Sequence, residues 1–345
     1  MLKLVKLSAW LGLPLMMLVT PAAAGALSLT DLGTLGGSTS TGTAINNNGY
    51  AVGSSLTAGG ATHAFEYNPN TQTMTDLGVV AGQTSSQANG INNSNVIVGQ
   101  SGPFAFEDTG SGLTSLFAGD IRGINNSGVA VGSIPNETGN QTAEWSASET
   151  RTIYFPTLNT VGNSINDSGD LVGVRSGDSG YYSDGSNQFT SNPQSLGGFF
   201  PAAINNNDII AGQDEGANEA AIYTISSLTE TILGKLSPSD SSSAATGINS
   251  AGTVVGTSGS AGFEWTSSGG MVSLTSLLGS QYSGWTIVSA SAINDNGQIL
   301  AQGQYDGVDH AVILAVATPE PSSIVLLGIA AVGLGLAALK RRRVA

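Results

Sequence analysis

A nine-residue motif returns seven times along this chain, and a repeat of that kind constrains the fold more than any single residue does. Its form is I-N-x-x-G/N-x-h-h-G, with h apolar, starting at Ile45, Ile91, Ile124, Ile165, Ile204, Ile248 and Ile293. The first copy reads Ile45-Asn46-Asn47-Asn48-Gly49-Tyr50-Ala51-Val52-Gly53; the seventh, Ile293 to Ala301, lacks the final Gly. Six steps cover 248 residues, a mean of about 41. That period suits propeller blades of four strands, and no helical period accompanies it.

Each copy reads as a β-hairpin. Asn, Asp, Ser and Gly between two apolar runs make a tight turn, and the β-branched residues on either side suit strands. Asn at the second position of every copy points to a side-chain hydrogen bond to the backbone, made seven times.

Two more strands follow each hairpin. The third is aromatic or apolar: His63 to Tyr67, Phe104 to Glu107, Ala143 to Trp145, Tyr181-Tyr182, Ala221 to Tyr223, Phe263 to Trp265 and His310 to Ile313. The fourth is marked by Leu: Met74 to Gly78, Leu113 to Phe117, Arg151 to Phe155, Gln194 to Gly197, Thr229 to Gly234 and Met271 to Leu277. Only six fourth strands follow the seven hairpins. The missing one is expected at the other end of the chain, where Leu27 to Gly33 shares Thr-Asp-Leu-Gly with Met74 to Gly78. An N-terminal strand that completes the last blade closes the ring and hides its edges. The expected fold is therefore an all-β, seven-bladed β-propeller over residues 25–317.

The repeats resemble the extracellular HAF-repeat family, named for His-Ala-Phe. His63-Ala64-Phe65 carries the triplet intact, His310-Ala311-Val312 keeps two of its positions, and the middle repeats lose the His. Asp31-Leu32-Gly33-Thr34-Leu35-Gly36-Gly37 matches that family's D-L-G-T-L-G-G stretch. The resemblance implies architecture and an extracellular location, without an activity.

The two ends read as export signals. Lys3 and Lys6 precede an apolar stretch from Ala9 to Val19, and small residues Ala22-Ala23-Ala24 follow. Residues 1–24 thus form a secretory signal peptide, with cleavage between Ala24 and Gly25 by signal peptidase. At the other end, residues 318–345 hold Pro319-Glu320-Pro321, an uncharged run from Ile324 to Leu339, and Lys340-Arg341-Arg342-Arg343. As a helix, the run spans about 24 Å, short of a hydrocarbon core of about 30 Å. It reads as a marginal transmembrane helix that Lys340 extends by snorkelling, with the basic cluster held in the cytoplasm. The order of these elements is similar to a PEP-CTERM tail. That resemblance implies recognition by the membrane protease-transpeptidase exosortase, release after transient anchoring in the inner membrane, and a Gram-negative cell surface as destination.

Charge narrows the partners. Between the signals only Arg122, Arg151, Arg175 and Lys235 oppose 23 of the 24 acidic residues, leaving this part near −19. Such a surface repels nucleic acid and anionic polymers. The chain has no cysteine, so disulfides, thiolate zinc sites and cysteine nucleophiles are excluded.

Chemistry-bearing candidates are few. Gly177-Asp178-Ser179-Gly180 looks like a serine-protease nucleophile stretch, but Tyr181 follows it and no partner motif exists; it reads as a turn. His63 and His310, the only histidines, open third strands in neighbouring blades, with Asp309 nearby; equivalent strand positions do not bring side chains within a metal's reach. Asn166-Asp167-Ser168-Gly169-Asp170 and Asn294-Asp295-Asn296-Gly297 faintly resemble calcium loops without matching the full ligand pattern. Glu107 with Asp108 and Asp214 with Glu215 are carboxylate pairs that sequence alone does not place. No catalytic residue, metal or cofactor is assigned. The expected role is a non-catalytic surface or exopolysaccharide-matrix module. The alternative is a polysaccharide-active propeller, which basic and aromatic groups lining a central opening would favour.

Overall fold

The computed structural model describes residues 26–317 apart from 138, 147–148, 153–158, 176–178 and 186–192. The cleavage pair Ala24 and Gly25, the motif Pro319 to Pro321, the apolar run from Ile324 and the cluster Lys340 to Arg343 lie outside the described residues. So do Gly177, Asp178 and residues 153–155 of one expected fourth strand. Among the described residues no helix is long and apolar enough to cross a membrane.

The described strands form seven antiparallel sheets of four. Six blades follow chain order, each from an inner strand that ends on the motif Ile to an outer strand. The seventh takes its outer strand, Leu27–Asp31, from the N-terminus, paired antiparallel with Val308–Val316 in the register Leu27↔Val316 to Asp31↔Val312. Leu27 and Leu29 are buried in the cluster of the last blade, and Leu32 packs against the first.

The turn of each hairpin is built the same way. In the first, the N–H of Asn46 donates to the carbonyl of Tyr50 and the N–H of Gly49 to the carbonyl of Asn46. The fifth motif residue takes positive φ in every copy: Gly in five, Asn95 (φ 61) and Asp208 (φ 56) in the others. Asn and Asp tolerate this left-handed conformation better than other L-residues.

The motif's last Gly is a packing requirement. A Cβ on Gly53 would collide with the carbonyl of Thr41 and the ring of Phe65; Gly99 and Gly256 stand likewise against Phe106 and Phe263. These rings are fully buried, and Phe106 packs against Val52 and Ala64 of the blade before it. In the last blade Ala301 replaces the Gly, and Val312 stands opposite it where four blades carry a ring and the third and fifth carry Ala143 and Ala221. The two changes compensate in volume. In the fourth blade Tyr181 fills the ring position, its hydroxyl 2.6 Å from Oγ1 of Thr142, and burial pushes its pKa up.

One expected strand differs. Met271 to Leu277 is extended only as Gly270–Ser273, then forms a one-turn helix, Leu274–Leu277. Leu274 is fully buried against Ile287 in the core of the last blade, so packing overrides the strand pattern.

Candidate functional site

The inner strands surround an axial channel, and the repeat places the same three motif-related positions around it seven times. The first is the motif Ile. All seven line the cavity at the hairpin end, about 170 Å³, and all but Ile45 line the cavity at the other end, about 270 Å³.

The second is the motif Asn. Each side-chain amide donates to the backbone carbonyl of the motif Asn in the next blade: Asn46 to Asn92, then Asn125, Asn166, Asn205, Asn249 and Asn294, and Asn294 back to Asn46. The distances run from 2.8 to 3.3 Å. In six copies Oδ1 also accepts the N–H groups two and four residues on, as Asn205 does from Asn207 and Ile209; Asn249 accepts from Thr253. All seven are buried. One side chain thus closes its own turn and ties it to the next blade.

A parallel circuit runs through the following residue. The N–H of Asn47 donates to Oδ1 of Asn93, Asn93 to Asn126, Asn126 to Asp167, and Asp167 to Asn206. Ser250 donates to Asp295 and Asp295 to Asn47. The missing link falls at Ser250, whose side chain is too short; Asn207 Nδ2 still reaches its carbonyl at 2.8 Å, as Asn48 and Asn296 reach Asn93 and Asn47. Burial alone would raise the pKa of Asp167 and of Asp295. Hydrogen bonds from Asn126 and Asn206 to the first, and from Ser250 and Asn47 to the second, outweigh it and hold both below the usual carboxylate range. These are the carboxylates of the calcium-like stretches. Their lone pairs are taken by protein donors, and among the described residues no three His, Asp or Glu side chains converge as a metal-binding group.

At the other end a β-bulge interrupts every inner strand two residues before the motif Ile, as between Gly42 and Ala44 or Ile121 and Gly123. Bulges re-aim side chains. Here they turn Thr43, Asn89, Arg122, Asn163 and Thr246 toward the channel mouth. Thr43 donates to the carbonyl of Ala88, Asn89 to Ile121, Asn163 to Pro201 and Thr246 to Ala290, each in the next blade. Arg122 is the basic residue of this mouth. Its guanidinium donates to Asp120 at 2.8 Å and to Asn163 Oδ1 at 3.0 Å.

The histidines sit outside the channel, and each has its own carboxylate. His63 Nδ1 lies 3.0 Å from Asp76, and His310 Nδ1 lies 2.9 Å from Asp31. The same carboxylates accept the N–H of Gly78 and Gly33. His-Ala-Phe and Asp-Leu-Gly are thus two halves of one cross-strand contact. In the fifth blade Glu219 occupies the His position and pairs with Lys235 at 3.0 Å. Of the carboxylate pairs, Asp108 accepts the N–H groups of Gly110 and Gly112, while burial and then the charge of Asp108 raise the pKa of both Glu66 and Glu107. Burial likewise raises Glu264.

With this geometry in place, comparison bears first on the tail. Residues 317–343 match the PEP-CTERM protein-sorting motif. The PEP-CTERM motif marks the chain as an exported protein recognised and processed at the membrane by exosortase. No curated protein matches it. Solved structures of similar fold include YCF48 bound to D1 peptide, at 13% identity and TM-score 0.51 over 87% of this chain and 100% of that one. Others are a Mycobacterium tuberculosis puromycin-hydrolyzing peptidase (11%, TM-score 0.53) and a puromycin hydrolase (9%, TM-score 0.54). This chain covers 87% and 77% of its own length in those two matches, and spans 56% and 50% of theirs. At such identities the likeness is one of fold.

Proposed function

We propose that this PEP-CTERM protein is a non-catalytic β-propeller of HAF-repeat type, delivered to the surface of a Gram-negative cell as a component of the exopolysaccharide matrix. The observation that carries the reading is the channel. Its wall is isoleucine, its rims carry carboxamides, hydroxyls and the two carboxylates Asp167 and Asp295, bound to neighbouring blades, and among the described residues the one arginine lining it is held by Asp120 and Asn163. An enzyme acting on acidic glycans needs cationic groups poised for substrate charge, and this mouth offers one that is already paired. The sorting tail supports an extracellular setting.

The alternative, a glycosidase or lyase, draws on one feature: Glu66 and Glu107 are held protonated to higher pH beside Asp108, the kind of contrast that two-carboxylate chemistry uses. The deciding experiment incubates secreted protein with neutral and acidic polysaccharides, with and without calcium, and measures new reducing ends and unsaturated products. The matrix reading expects none, and expects the protein to co-fractionate with exopolysaccharide. Reproducible product that Glu66→Gln or Glu107→Gln abolishes would establish the enzyme instead.

A further inference from the structure

The last blade departs from the repeat in three ways, and all three meet at one aromatic surface. Its inner strand, Trp285–Ile293, carries a second bulge between Ile287 and Ser289 that no other inner strand has at that place among the described residues. The chain before it, from Leu274 to Gly284, forms a one-turn helix and a short 3-10 turn. The third departure is Gly303. By register it corresponds to Ile134, Arg175 and Asp214 in three blades and, in the other three, to Ser55, Ser101 and Ser258, buried residues whose hydroxyls accept the N–H of Leu35, Val80 and Leu236.

The ring of Trp285 lies where that serine would be: a Cβ on Gly303 would come within 2.9 Å of it. Trp285 stands 5.3 Å from Tyr305, ring centre to ring centre and tilted by 34°, and 6.4 Å from His310. Tyr305 is 45% exposed. His310 is held through Nδ1 by Asp31, with its ring beside that of Trp285. Bulges, strand glycines and broken repeat rules mark places where a chain gives up regularity for a site.

We propose that Trp285 and Tyr305, bordered by His310, form a stacking platform for a neutral hexose polymer. Pyranose rings with equatorial hydroxyls present apolar C–H faces, which stack on aromatic rings, while their edges hydrogen-bond to groups such as the imidazole and the Tyr hydroxyl. An ectodomain near −19 disfavours an anionic chain, so charge selects the neutral polymer. The inference deepens the matrix reading and rests on it for the source of the glycan.

The test titrates secreted protein with cellohexaose, maltohexaose and hexagalacturonate, by calorimetry and by tryptophan emission. One or both neutral hexamers should bind and shift the emission, whereas hexagalacturonate should not bind. Trp285→Phe should keep binding and lose most of the emission change. Tyr305→Ser should weaken binding at least about fivefold, in line with roughly 1 kcal/mol per aromatic contact. Gly303→Ser, which introduces the residue of three other blades and displaces the Trp ring, should do the same; its Cβ also meets buried Val312, so its melt is compared with that of Tyr305→Ser, which leaves that contact untouched. Absence of neutral-glycan binding, preference for hexagalacturonate, or affinity unchanged in Tyr305→Ser and Gly303→Ser would overturn the platform. Failure of the parent reading looks different: wild-type protein would bind cellohexaose yet stay out of the exopolysaccharide fraction.

Discussion

Replacing Asn205 with Ala tests what holds the ring together. The side chain donates to the carbonyl of Asn249 at 3.0 Å and accepts from Asn207 and Ile209, each at 3.0 Å, and it is buried. Truncation removes three hydrogen bonds and takes the acceptor from the N–H groups of Asn207 and Ile209, while the Asn249 carbonyl keeps the N–H of Gly252. At roughly 1 kcal/mol per bond, rising to about 1–3 for a buried group left unsatisfied, the loss should be about 2–5 kcal/mol. With an unfolding entropy of roughly 2.1 cal/mol/K per residue over about 290 residues, Tm should fall by about 3–8 °C. The control is Asn207→Ala, which gives up one exposed bond to Ser250 and should cost under about 0.5 kcal/mol. Asn205→Asp separates the two roles. It keeps the oxygen that accepts from Asn207 and Ile209, loses the donor and sets a carboxylate against the Asn249 carbonyl; it should melt below wild type at pH 7 and regain stability as the acid protonates. Urea or thermal melts followed by circular dichroism suffice. If Asn205→Ala behaves like its control, the circuit of asparagines follows blade packing instead of sustaining it.

Three further outcomes are expected. Deleting Leu27 to Leu35 removes the strand paired to Val308–Val316 and three buried leucines; at about 1.5–3 kcal/mol each the loss should exceed roughly 5 kcal/mol, and an unchanged melt would refute closure by this strand. Glu264 has a raised folded pKa, so its contribution is present below the ordinary glutamate value and is lost as pH rises through the folded value. Glu264→Gln should therefore raise Tm at pH 7, with the gain shrinking toward pH 4, and a gain that grows on acidification would sink the argument. Intact mass of secreted protein should begin at Gly25 and lack Ile324 to Ala345, and retention of Arg341 to Arg343 would count against processing.

The architecture was legible because every blade repeats the same physical problem. Asn46 and its counterparts announced a backbone contact, since no other residue both closes a turn and carries a spare donor. Their target, the next blade's carbonyl, was hidden because sequence shows the period and not the curvature that brings successive turns together. The pairing of His63 with Asp76 was latent in the co-occurrence of the two triplets in the first and last blades. Glu219 with Lys235 obscured it by reversing the charges and shifting the partner three positions along the outer strand. The bulges left no trace, because an extra residue such as Arg122 or Thr43 does not disturb a motif that begins after it. Trp285 looked ordinary for the related reason that its bed, Gly303, lies beyond the part of the motif that repeats.

The pairing of Leu27 with Val316 joins the first strand of the ring to be synthesised to the last. At about 5–20 residues per second, roughly 290 residues separate the two arrivals by about 15–60 s. Throughout that interval the leading strand waits with both backbone edges unmet, and each completed blade adds a surface that only its successor covers. Closure is a loop-forming step at the greatest sequence separation the domain offers, which places it late and makes it slow. The PEP-CTERM match begins at residue 317, one residue after the strand that completes the ring. A chain whose tail has reached the membrane has therefore just delivered the last residues its ring needs. Emergence from the N-terminus sets the order of assembly, and the final blade serves as the clasp.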